Sequence, residues 1–182
     1  MHLKLHSKMF MIAGLAVCSL LSSCSKDEDD SPSYTVPQTY NFENVNYSGQ
    51  TDRISMLTEL DGYVKTGNNG TLLDAQKMKN MYANVNAPFS EARLNTSGKQ
   101  LKDKTIVSAQ STFESYFDAA ATASLSAGTP AFKGKAGLLT TAEGTKYLVD
   151  ANGVEPAQLI QKGLMGAVFY FQAVESYLTE AK

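Results

Sequence analysis

Four side chains in this 182-residue sequence carry the thiol and imidazole groups most used in catalysis and metal binding: His2, His6, Cys18 and Cys24. All four lie within the first 24 residues. The rest of the chain can therefore build no Ser-His-Asp triad, no Cys-His pair and no zinc site of His and Cys ligands. It can form no internal disulfide either. That leaves the compartment open, because an oxidising compartment permits disulfides without requiring them. Thiol chemistry is confined to the N-terminus, at Cys18 and Cys24.

The setting of those thiols is specific. Lys4 and Lys8 form a short positive region, followed by 13 uncharged residues, Met9 to Leu21 (MFMIAGLAVCSLL). A bilayer-spanning helix needs about 20 residues, so this run has the size of a signal-peptide apolar core. Leu21-Ser22-Ser23-Cys24 follows and looks like a bacterial lipobox. An aliphatic residue and two small ones thread a peptidase cleft, and the cysteine receives lipid. Cys18 is the rival, but the branched Val17 before it fits poorly. The expectation is a signal peptide over residues 1–23 and lipidation at Cys24. Anchoring then requires more than one acyl chain, since one holds only marginally; lipoproteins of this type carry two or three.

Ser25 and the run Lys26-Asp27-Glu28-Asp29-Asp30 come next. Four consecutive acids cannot pack, so residues 24–33 are expected to form a solvated tether. Lys26, Asp27, Glu28, Asp29 and Asp30 also resemble the acidic export signal of Bacteroides-type outer-membrane lipoproteins; the alternative is a plain spacer. From Ser31 onward 13 basic and 14 acidic residues nearly cancel. With a pI near 5.7, the chain has no basic footprint for nucleic acid. No later stretch has an 18-residue apolar run, so no transmembrane helix is expected.

Within the body, Asp150-Ala-Asn152-Gly153-Val-Glu155 places oxygen ligands at alternate positions around a glycine. The acid that closes a calcium loop is missing. Capping of a following helix by Asn152 or Asp150 explains these residues better, with Glu155 favouring the positive helix end. Glu155 and Glu175 are 20 residues apart, about 30 Å along a helix, too far for a catalytic pair; with Glu180 they read as surface acids. Gly163, Gly166 and Ala167 read as a close helix crossing, and Phe169-Tyr170-Phe171 as core. No nucleotide-binding, zinc-protease or nucleophile-elbow motif occurs. No catalytic residue, metal ligand or cofactor is assigned.

The elements that would position such groups are mostly helical. Pro32 and Pro37 favour an extended arm, with Tyr34, Tyr40, Phe42 and Tyr47 pinning it to the domain. Ile54, Leu57, Leu60 and Val64 recur at helical spacing and predict a helix over 51–66, capped by Thr51 and stopped by Gly67. Asn68-Asn69-Gly70 predicts a turn. A second helix is predicted over 74–85, with Asp74 as cap, Met78, Met81, Tyr82 and Val85 inward, and Pro88 as stop. A short polar helix is expected near 96–104. A stronger one spans 108–125, with Phe113, Phe117, Ala120 and Ala121 on one face, Tyr116 beside them, and Gly128 and Pro130 beyond. Residues 137–149 read as a β-hairpin turning through Ala142-Glu143-Gly144. Pro156 opens the last helix, which is apolar over more than one side and so expected to be central. Its apolar face runs through Leu159, Ile160, Leu164, Ala167, Val168, Phe171, Val174 and Leu178. No stop signal precedes Lys182, and a chain cut short of its natural end is expected.

Four segments together carry a family resemblance: YTVPQTYNFENVNYSGQTDRISML, LLDAQKMKNMYANVNAPFS, LNTSGKQLKDKT and DANGVEPAQLIQKGLMGAVFYFQAV. They resemble the Bacteroides-type lipoproteins of "domain of unknown function 4856" over nearly all of residues 34–178. That family in turn is similar to imelysin-type proteins, helical-bundle envelope proteins linked to iron uptake through a GxHxxE motif. This chain has no His after His6 and no Trp, so the motif maps onto no residue here. The resemblance implies a mainly α fold over residues 34–182: an up-and-down helical bundle, or half of a larger imelysin-like bundle, with a small β-hairpin. It also implies an outer-membrane, surface-exposed, non-catalytic binding component. The expected partners are the membrane through lipidated Cys24 and an envelope protein or an iron or haem ligand. The rival readings are a metal-dependent, peptidase-like protein whose active motif lies outside this chain, and a structural or interaction fragment.

Overall fold

In a computed structural model the described residues are 46–171, with Thr39 and Val174 besides, and of Phe169 the backbone alone. The chain divides into two units, residues 1–44 and 45–182; the fold described here belongs to the second. The signal peptide, Cys24, the acidic tether, Tyr34, Tyr40, Phe42, Glu175, Leu178 and Glu180 lie outside the described residues. The architecture is mainly α with one small antiparallel hairpin.

Helix α1 spans Ser48–Lys65 and runs into a 3-10 turn at Thr66–Asn69. It starts before Thr51. Asn46 Oδ1 accepts from Ser48 N at 3.1 Å, which satisfies one of the amides a helix start leaves free. The buried stripe is Met56, Leu60 and Val64; Ile54 stands 66% exposed. Tyr47, expected to pin the arm, is exposed as well. The Asn68-Asn69-Gly70 turn forms as expected, with Gly70 left-handed at φ 89°. Asn68 Oδ1 then accepts from Leu148 N at 2.8 Å, tying the turn to the hairpin.

Helix α2 spans Ala75–Ala83, and Asp74 caps it by accepting from Gln76 N and Lys77 N. It ends well before Pro88. Asn84 turns left-handed at φ 48°, and its Nδ2 donates to Leu94 O at 2.9 Å and Lys99 O at 2.8 Å. A polar side chain that bonds locally tolerates this conformation. Val85 falls beyond the helix and is exposed. The single helix expected near 96–104 is instead helix α3, Ala92–Thr96, and a 3-10 turn, Lys102–Lys104.

Helix α4 spans Val107–Ser124 and buries Phe113, Phe117 and Ala120, with Ala121 and Tyr116 packed beside them. Strands β1 (Gly137–Thr140) and β2 (Lys146–Val149) pair antiparallel, with Leu138 opposite Leu148. Gly144 takes a positive φ in the loop between them. Helix α5 spans Pro156–Tyr170 with Pro156 in its first turn. It packs on α4, α1 and β2, and α2 packs on α1 and α4. Met56, Leu60, Met78, Met81, Phe117, Ile160 and Leu164 meet in the core, all essentially inaccessible. Tyr82 stands edge-on to Phe117, ring centroids 5.6 Å apart, a favoured aromatic geometry.

Candidate functional site

The acidic loop before α5 is a turn. Asp150 Oδ1 accepts from Asn152 N and from Val154 N, each at 2.8 Å. Its carboxylate therefore folds its own loop and caps no helix. Asn152 caps none either: Glu155 occupies the N-cap position, without a side-chain cap bond. Burial pushes the Glu155 carboxyl above its ordinary value, and nearby Lys65 opposes the shift. Among the described residues no group of three or more His, Cys, Asp or Glu could hold a metal ion.

The two glycines of α5 differ. A Cβ on Gly163 would sit 2.9 Å from Phe113 Cε1, whereas one on Gly166 would meet nothing within 4 Å. The α4–α5 crossing therefore rests on Gly163. Beyond it α5 turns outward: Met165 and Tyr170 are each half exposed. The helix is covered on one side by α1, α4 and β2 and is open on the other.

That open side borders a groove of about 640 Å3 between α1 and α5. Leu57 and the buried Leu101 form its deeper lining, and Ile54, Met165 and Val168 its walls. Charged side chains line both of its ends. At one end are Arg53 and Lys104. Arg53 is already engaged: Nη2 pairs with Asp103 Oδ2 at 2.9 Å and Nε donates to Gln100 O at 2.8 Å. Lys104 has no carboxylate partner among the described residues, and its Nζ lies 5.1 Å from the Phe171 ring centroid. At the other end Asp61 Oδ2 accepts from Lys65 Nζ at 2.7 Å and from Gln161 Nε2 at 3.0 Å. Asp61 Oδ1 is buried with no hydrogen-bond partner.

Beside the Lys104 end lies a polar pocket of about 330 Å3, lined by Asn46, Ser48, Gly49 and Lys99. It shares Gln50, Arg53 and Lys104 with the groove. Pockets of a few hundred Å3 with apolar walls and a few convergent polar groups are the usual form of small-molecule sites. Nothing here holds a nucleophile beside a base. Sequence reading assigned none of these residues to a site; the one signal was that α5 carries apolar residues on more sides than one partner can cover.

The described residues form a mainly helical body with an open groove between α1 and α5. The family model described as "Domain of unknown function (DUF4856)" matches residues 37–182, and the chain belongs to that family. Its description assigns no activity. No curated protein and no solved structure matches the chain.

Proposed function

We propose that this chain is a lipid-anchored cell-envelope protein, displayed at the outer surface of an outer membrane, whose helical body is a non-catalytic binding component. The observation that carries the binding reading is the groove between α1 and α5, with Ile54 and Met165 left 66% and 50% exposed along it. Isolated exposed apolar side chains are ordinary, but several lining one concavity mark a place where something is received. The anchoring reading rests on Leu21-Ser22-Ser23-Cys24 behind an uncharged run, and surface display on Lys26 to Asp30.

Iron or haem acquisition is the cargo that the imelysin resemblance suggests. The described residues offer no cluster of acids, His or Cys for a bare metal ion. A haem would have to use the groove, where Met165 is a thioether donor and Arg53 and Lys104 are cations for propionates. Titrating the full-length protein with haemin tests the cargo. A Soret shift that Met165→Ala removes supports haem; an unshifted spectrum rejects it. Protease treatment of intact cells tests display. Digestion of the body supports surface exposure, and survival in intact cells with digestion after lysis contradicts it.

A further inference from the structure

We propose that the groove and the adjoining polar pocket form one site for a single-chain lipid anion, with its head at Lys99 and Lys104 and its chain lying toward Asp61. This rests on the reading of the groove as a binding site and names the ligand by chemistry. Two cavities that share Gln50, Arg53 and Lys104 differ sharply in character. The groove is walled by Ile54, Leu57, Met165 and Val168, while the pocket is bounded by Ser48, Gly49 and the amines of Lys99 and Lys104. Neither amine has a carboxylate partner among the described residues. Asp103, next to Lys104 in the chain, is already taken up by Arg53. The first turn of α1, which borders the pocket, carries no acid.

Polarity also sets the direction. At the far end the one cation beside Asp61, Lys65, is already paired with it at 2.7 Å, so that end offers an anionic head no free charge. From Arg53 to Asp61 is about 12 Å along α1 at 1.5 Å per residue. A ligand that satisfies both halves has one anionic head and one extended apolar chain of about that length. A carboxylate and a phosphate monoester share this chemistry.

Calorimetric titration of the full-length protein with straight-chain carboxylates from hexanoate to tetradecanoate, below their micelle concentrations, tests the proposal. Decyl phosphate and decanol serve as head-group arms. Affinity should rise about two- to fourfold per added methylene, then level off once the chain fills about 12 Å. A steeper response to decyl phosphate than to decanoate assigns the head as phosphate, and the reverse assigns it as carboxylate. Lys99→Gln with Lys104→Gln should weaken either anion about tenfold or more and leave decanol unchanged. Ile54→Asp, on an exposed side chain, should abolish binding of all three while the circular dichroism spectrum stays native. No binding of any anion to the folded protein overturns the proposal, as does binding that ignores both substitutions. If haemin binds and Ile54→Asp removes it while alkyl anions fail, the binding reading stands and the lipid-anion assignment falls. Concentration-dependent dimers lost in Ile54→Asp, with no anion bound, overturn it in favour of a second copy in the groove.

Discussion

Ser124 shows how much one polar atom holds together. Its hydroxyl accepts from Leu73 N at 2.9 Å and donates to Ala121 O at 2.6 Å, and the residue is almost fully buried. Ser124→Ala leaves the Leu73 amide inside without a partner. The cost should be about 1–3 kcal/mol, read as a lower urea midpoint. Asp74 is the simpler case, a cap on the surface, and Asp74→Ala should cost about 1 kcal/mol. Glu155 behaves oppositely. Burial raises its pKa above the ordinary 4.5, so the folded state holds that proton more tightly than the unfolded state does. Its stabilising effect is present below the unfolded pKa and is lost as pH rises through the folded one. Glu155→Gln should therefore raise the melting temperature at neutral pH, with the gain vanishing below about pH 4. A gain that persists at pH 3 would show that burial of the charge is not its source.

At the scale of elements, the two glycines of α5 make a paired test. Gly166→Ala meets open space and should add about 0.5–1 kcal/mol through helix propensity. Gly163→Ala presses on the buried Phe113 ring and should instead destabilise by about 1 kcal/mol or more. At the base of the hairpin, a Cβ on Gly137 would lie 2.5 Å from Thr129 O. Gly137→Ala should cost about 1–3 kcal/mol and loosen the hairpin's amide protection. Sequence periodicity found the long helices, the hairpin and the Asp74 cap, because those signals are local. It placed Ile54 in the core because spacing marks an apolar stripe without saying whether another element covers it. It set the α2 stop at Pro88 because the capacity of Asn84 to turn left-handed and clasp Leu94 O and Lys99 O depends on a loop that arrives ten residues later. It expected one short helix near 96–104, where the chain instead forms α3 over Ala92–Thr96 and a 3-10 turn over Lys102–Lys104.

For the whole molecule, the body's near-neutral charge gives no long-range steering, so any cargo must be recognised at short range, inside the groove. The groove was invisible to one-dimensional reading because its walls come from residues about a hundred positions apart, Ile54 on α1 and Met165 on α5, with Lys104 between them in the chain. No described helix is long and apolar enough to cross a membrane; the anchor we propose is the lipidated thiol of Cys24. Metabolic labelling with a clickable palmitate analogue, comparing the wild-type chain with Cys24→Ala in a bacterial host, tests that claim most directly. The account predicts a labelled, membrane-bound wild-type product and an unlabelled variant released from the membrane fraction. Equal labelling of the two, or an unlabelled mature wild type, would contradict it.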